Sequence, residues 1–410
     1  MAQYCGVPGE IVVKADDVAA VRAARSWYGP GSCNLVDLRA HAARTSRIQD
    51  HPLAARLEAD AVPIYDCHHI RAHAVSQQER REIMAEWIAV LRDGAGIVIL
   101  EHAFADTGPV DQVSAVFEQI IAGQRQSSTV AGDHFAKAGA NDRIWNALEK
   151  LCLQAPDAFA AYYANDIIAL VCEAWLGPAY QITSQVNVVN PGGASQTPHR
   201  DYHLGSQSPE IVQRYPEHVH LFSPMLTLQG AVAHCDMLLE SGPTLYIPFT
   251  QTYGPGYLAA QDSAIRGWFG KNRLQLPLRK GDAVFFNPAL LHAAGANHSA
   301  EIRRMANLLQ VSSAYGRAME TTDRARMSET LYPVLRRLSR SNTLSAAETA
   351  NVMAACAEGY AFPRNLDRGP PIGGLAPKSQ QVLMQESLAA DLSTEQFVMA
   401  LHGQAERKLG

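Results

Sequence analysis

Two stretches decide how this chain is read: TPHRDYHLG, from Thr197 to Gly205, and GDAVFFNPALLHAAGAN, from Gly281 to Asn297. The first sets His199 and Asp201 two residues apart, just after the turn Asn190-Pro191-Gly192-Gly193. In an extended segment, residues i and i+2 point the same way, so both side chains can reach one point. The second reads as a Gly-Asp turn followed by a strand run that delivers His292. Arg303 stands eleven residues beyond it, at the start of another strand. Two neutral imidazoles and one carboxylate can occupy one face of an octahedral Fe(II), leaving three positions open. A 2-oxo acid can take two of these and O2 the third. The distal carboxylate of 2-oxoglutarate would need a charged clamp, and the planar guanidinium of arginine makes two parallel hydrogen bonds to such a group.

An H-x-D triplet alone is weak evidence, and His234-Cys235-Asp236 is a second one. Context separates them. His199 follows a strand and a Gly-rich turn and has a downstream His and Arg, whereas His234 ends an apolar strand run and reads as either a packing residue or a support behind the metal ligands. Within the first stretch, Arg200 and Tyr202 should point away from the metal. His203 is either a further ligand or a group lining the cavity. His218 and His220 fall in an expected loop and should be exposed.

Outward from these motifs the chain divides into three. Residues 1–72 mix short apolar patches with Gly and Pro, and the Cys67-His68-His69 run has no partner cluster near it in sequence, so packing or surface exposure is the expected role. From about residue 75, Ser76 and Glu79 form a capping box. Ile83, Trp87, Val90 and Leu91 follow at helical spacing up to Gly94, and then comes a buried-strand run at 96–100. A second helical stretch, 158–176, ends at Gly177-Pro178. Beyond it lie short strands at 181–189, 225–233, 244–247, 283–286 and 305–311. Helical periodicity returns after 318, with capping boxes at Ser345/Glu348 and Ser393/Gln396 and a Pro/Gly-rich linker at 368–377.

Composition narrows the function classes. The 410 residues are 47% hydrophobic and 18% charged, enough apolar surface for a large core and too little charge for long disordered tracts. A net charge of −5 with no basic run argues against nucleic-acid binding and against an anionic membrane surface. No apolar stretch approaches the ~18 residues of a membrane span. MAQYCGVPGE lacks the features of a secretory signal. The 7 scattered cysteines fit reduced thiols in a cytoplasmic protein.

The motifs together resemble the phytanoyl-CoA dioxygenase family of Fe(II)/2-oxoglutarate oxygenases. The shared blocks are His199-x-Asp201-x-His203; Gly281-Asp282-Ala283-Val284-Phe285-Phe286; His292 with Gly295 and Asn297; and Arg303. Leu176-Gly177-Pro178, SQVNVVNPGG (184–193) and ESGPTLYIP (240–248) also match. The resemblance covers about residues 75–316. It implies an α+β fold, mainly β with helices: a double-stranded β-helix (jelly-roll) core with flanking helices. The organisation would be an N-terminal extension over 1–72, the oxygenase domain over 73–316, and a helical extension over 317–410 serving as lid, packing layer or homodimer contact.

The resemblance also implies site roles. His199, Asp201 and His292 would ligate Fe(II). Arg303 would bind the distal carboxylate of 2-oxoglutarate, with Arg304 one residue away. Asn187 and Gln185 would face the cosubstrate, and His203, Gln229 and Tyr202 the substrate. Two positions depart from relatives: Ala294 replaces a hydroxyl residue and Gln229 an active-site Trp, which suggests a more polar cavity. The implied reaction is hydroxylation of an unactivated C–H of a small molecule, with release of succinate and CO2. The carboxylate of Asp201 favours it over halogenation and leaves desaturation or ring formation open. Nothing resembles a cradle for CoA phosphates. The alternative is a cupin-like metal-dependent hydrolase or isomerase, with Zn²⁺ at His199, Asp201, His203 or His292 and no 2-oxoglutarate. A binding protein retaining only the fold is opposed by the intact residue set.

Overall fold

The computed structural model describes residues 21–23, 25–126 and 139–410; the MAQYCGVPGE segment lies outside them. Eleven strands are present among the described residues: β1 (Arg56–Glu58), β2 (Val62–Asp66), β3 (Ile97–Glu101), β4 (Asn141–Ile144), β5 (Gln181–Val189), β6 (Thr227–Ala233), β7 (Leu245–Ile247), β8 (Leu274–Gln275), β9 (Ala283–Phe286), β10 (Leu291–Ala293) and β11 (Arg304–Ser312). Eight form one sheet, ordered β1-β2-β3-β9-β6-β11-β5-β4, and three form a second, ordered β10-β7-β8. Together they make the jelly-roll core, and helices cover the outer face of the large sheet.

Alternation along the large sheet separates two environments. Val98, Leu100, Val186, Val188, Leu228, Val232, Ala283, Phe285, Leu309 and Val311 face the helices and share one core with Trp87, Phe117, Phe159 and Leu331. Their neighbours Ile97, Ile99, Val284, Phe286 and Ala306 face the other way, toward Tyr246, Leu276 and Leu278 of the small-sheet side. With a period of two, the long strands are thus mainly apolar on the helix side and free on the other to line a cavity.

The helix at Gln77–Arg92 starts in the expected capping box and buries Ile83, Trp87, Val90 and Leu91. The expected helix over 158–176 is instead two, Pro156–Tyr163 and Asp166–Leu176. Asn165 interrupts it, because its side-chain oxygen accepts from the Ile168 N–H at 2.9 Å and caps a new helix.

The expected boundaries at 72 and 317 do not separate cores. β2 pairs in parallel with β3, so the segment before residue 73 supplies part of the large sheet. Tyr65 from that segment and Met327, Tyr332, Phe397 and Leu401 from the C-terminal helices share the helix-side core. Buried Arg324 ties the C-terminal helices to β5, donating to the Ile182 carbonyl at 2.9 Å and the Ala355 carbonyl at 3.3 Å. Arg324→Ala should leave both carbonyls unpaired and lower stability by about 3 kcal/mol, read as a lower urea midpoint.

Candidate metal centre and cosubstrate pocket

The site begins with a main-chain bridge. The His199 N–H donates to the His292 carbonyl at 2.9 Å, and the His292 N–H donates back to His199 at 3.1 Å. Two residues further, the Asp201 N–H donates to the Pro288 carbonyl at 3.0 Å. The segment from His199 to Asp201 is therefore laid against β10. Arg200 points away, as its position between the ligands requires. It is buried, donates to the carbonyls of Thr250 and Tyr253, and stacks over Tyr257 at 5.2 Å.

The three expected ligands converge. Nε2 of His199 lies 3.6 Å and Nε2 of His292 3.3 Å from Asp201 carboxylate oxygens. Nδ1 of His199 donates to the Thr197 carbonyl at 2.8 Å, and Nδ1 of His292 to Leu290 at 2.9 Å. These bonds place the imidazole proton on Nδ1 and leave each Nε2 lone pair aimed inward. Burial and the neighbouring His292 hold the His199 imidazole below its ordinary pKa, favouring the neutral ligand form. Burial alone would raise the Asp201 carboxyl. The neighbouring imidazoles, in their protonated form, and the Gln229 amide, which donates to it, hold it well below the usual carboxylate range. Side-chain exposure is 5% for His292 but 32% for His199 and 31% for Asp201, so the group is open on one side.

That side faces a cavity of about 810 Å³. Strand parity decides which arginine reaches it. On β11, Arg304, Ala306, Leu308 and Gln310 line the cavity, while Met305, Leu309 and Val311 face the helices. Arg303 precedes the strand and lies on the outer surface, with Nη1 2.9 Å from Glu118 and Nη2 3.8 Å from Asp142. Arg303, the arginine expected to face the cosubstrate, is therefore outside the cavity, and Arg304, one residue on, is buried in the cavity wall beside Tyr246 and Cys235. Burial pushes the Arg304 guanidinium down to about 10, still charged at neutral pH. No carboxylate among the described residues pairs with it.

Asn187 and Gln185 both line the cavity from β5. Gln185 accepts from Arg143 at 2.8 Å and donates to Gln310 at 3.2 Å, whereas buried Asn187 keeps its Oδ1 without a partner. Gln229 lines the cavity too, but its amide N–H group is committed to Asp201. Tyr202 and His203 are not among the lining residues. Both take positive φ, 63° and 39°, which turns the chain out of its extended path. Tyr202 is buried, and the His203 ring pairs with Ser223 at 3.2 Å. The additional ligand that a zinc site could draw from His203 is therefore outside the cluster. His218 is exposed as expected, but His220 is buried on the helix Glu217–Phe222, edge-on to Tyr28 and Tyr257. Its Nε2 donates to the Val212 and Tyr215 carbonyls, so an aromatic cage rather than solvent receives it.

The geometry fits one family, whose characteristic region is matched here over residues 79–305: phytanoyl-CoA dioxygenase (PhyH). The chain belongs to this family. Iron and 2-oxoglutarate are the metal cofactor and cosubstrate of this phytanoyl-CoA dioxygenase family protein, and its donor set fits them: two imidazole nitrogens, one carboxylate, and across the cavity a buried guanidinium with no carboxylate partner among the described residues. Curated proteins give no match. Among solved structures, it is similar to the non-heme alpha ketoglutarate dependent epimerase SnoN from nogalamycin biosynthesis, at 18% identity over 57% of this chain and 84% of that one, with a TM-score of 0.38. The carbocyclase SnoK from the same biosynthesis matches at 18% over 59% and 86%, TM-score 0.40. AviO1 from Streptomyces viridochromogenes matches at 16% over 57% and 97%, TM-score 0.42.

The second H-x-D triplet serves the core. His234 lies in the helix-side layer, where Nδ1 donates to Ser114 Oγ at 2.8 Å and Nε2 accepts from the Tyr162 hydroxyl at 3.0 Å, while Asp236 is exposed. Burial pushes the His234 pKa from 6.5 down to about 3. The folded state holds it neutral and the unfolded chain does not. Its stabilising contribution is complete above pH 6.5 and is lost as pH falls toward 3, by up to about 1.4 kcal/mol per pH unit. His234→Leu should lower the denaturant midpoint at neutral pH and flatten its decline across that acidic window.

Proposed function

We propose that this protein is an Fe(II)/2-oxoglutarate-dependent dioxygenase that hydroxylates an unactivated C–H of a small molecule, releasing succinate and CO2. The observation that carries the reading is the pairing of two features in one cavity: the His199/Asp201/His292 cluster and the buried, carboxylate-free Arg304. His199, Asp201 and His292 would hold the iron, and Arg304 would receive the distal carboxylate of 2-oxoglutarate. Iron and 2-oxoglutarate, when bound, supply the oxidising chemistry that splits O2 between succinate and substrate.

The chain's own work is placement. Gln229 fixes the Asp201 carboxylate so that its oxygens meet the two Nε2 atoms. The Nδ1 bonds to Thr197 and Leu290 fix both ring planes. Asn187 offers an unpaired acceptor from the wall that also carries Gln185 and Gln310. Six amides line the cavity, at 185, 187, 196, 229, 261 and 310. A lining of amides suits a polar small molecule better than an acyl chain. The cytoplasm is the proposed location. Asp201 supports hydroxylation, since a carboxylate ligand leaves no place at the metal for a halide.

Anaerobic titration of the chain with Fe(II) and 2-oxoglutarate should give a weak visible charge-transfer band. Arg304→Ala should weaken 2-oxoglutarate binding by roughly 100-fold or more, whereas Arg303→Ala should change it by no more than about twofold. Equal effects from the two variants would refute the assignment. Asp201→Gly should abolish succinate release coupled to hydroxylated product; full coupled turnover in that variant would remove Asp201 from the metal site.

A further inference from the structure

A second group of metal-ligating side chains lies on elements that the first site does not use. Asp66 ends β2, His68 stands in the first turn of the following helix, and His102 immediately follows β3. β2 and β3 run parallel, with Asp66 opposite Glu101, so their ends bring Asp66 and His102 side by side. One ring nitrogen from each histidine and one Asp66 oxygen lie within 4.8 Å of one another. His102 Nδ1 is 3.1 Å from Asp66 Oδ1, and the two rings are 4.8 Å apart.

The main chain holds these groups in place. His102 sits at φ 55°, a left-handed conformation that non-glycine residues adopt only when their surroundings impose it. Here they do. The Asp282 carboxylate accepts the His102 N–H at 2.8 Å, and Arg71 donates to the carbonyls of His102 at 3.0 Å and Ala103 at 2.7 Å. Asp66 is fixed as a helix cap, accepting from the His68 N–H at 3.0 Å. Both hydrogen bonds to its carboxylate fall on Oδ1, so Oδ2 keeps its lone pairs for a cation. Side-chain exposure of 44% for His102 and 40% for Asp66 gives an ion direct access.

We propose that Asp66, His68 and His102 form a second divalent transition-metal site, distinct from the catalytic cluster. Two imidazoles and one carboxylate suit Zn²⁺ or a similar borderline ion, with water completing a tetrahedron, and suit Mg²⁺ or Ca²⁺ poorly. An ion there would staple the end of β3 to the start of the helix after β2.

Equilibrium dialysis of the untagged, chelator-stripped full chain against Zn²⁺, followed by metal analysis, tests this. The wild type should hold two equivalents. His199→Ala/His292→Ala should retain one, which reports the second site alone. His68→Ala/His102→Asn should also retain one; Asn is chosen because it tolerates positive φ. Asp66→Asn, nearly isosteric, should lose the same equivalent as that pair. The proposal is overturned if His199→Ala/His292→Ala holds no zinc, or if neither His68→Ala/His102→Asn nor Asp66→Asn lowers the wild-type count. Because the first variant lacks the catalytic cluster, these outcomes leave the oxygenase reading untouched.

Discussion

The reciprocal pair of main-chain hydrogen bonds between His199 and His292 is the constraint on which the site rests. These residues are 93 positions apart in the sequence, and no local propensity brings them together. The bridge adds the His199 segment to the edge of the small sheet, and residue alternation then aims Asp201 at the same point. Arg200, forced to the opposite side, is anchored by the carbonyls of Thr250 and Tyr253. The outward residue of the motif thus fastens the two inward ones. Gly256 completes this arrangement, because a Cβ there would fall 1.8 Å from the Arg200 guanidinium carbon.

Alternation also explains how one sheet serves two purposes. Every long strand gives one face to the helical layer and the other to the cavity, so the packing that stabilises the sheet orients the cavity wall. Asn307 is polar where most helix-side residues are apolar. It sits on the helix side, buried, where its amide donates to the Tyr162 hydroxyl at 3.3 Å. Tyr162 in turn donates to His234. A chain of polar contacts therefore runs through the outer core directly behind the cavity wall.

Much of this was legible in the residues. The convergence of His199, Asp201 and His292 was readable because H-x-D in an extended segment has a geometric meaning, and because a strand entering His292 follows a Gly-Asp turn. The helix after Ser76 was readable from its capping box and spacing. The arginine was not. Asn307 on the apolar side and Leu308 on the cavity side blur the alternation of β11, so counting from His292 selects Arg303, whereas strand parity puts Arg304 in the cavity wall. His220 was misplaced because the tyrosines that enclose it, Tyr28 and Tyr257, are remote in sequence. β1 and β2 were missed because short strands carry little periodicity, and the partner that secures β2 lies more than thirty residues later.

The Nδ1 contacts and the bridge have a consequence for the empty protein. Ligand order here derives from polypeptide pairing rather than from the ion, so the conformational entropy of assembling the donors is lost during folding and not again at loading. A chelator should then yield an apoprotein that is still native and ready to be recharged, unlike small metallodomains that collapse without their ion. An ion held by His199, Asp201 and His292 would then be exchangeable without passage through an unfolded state.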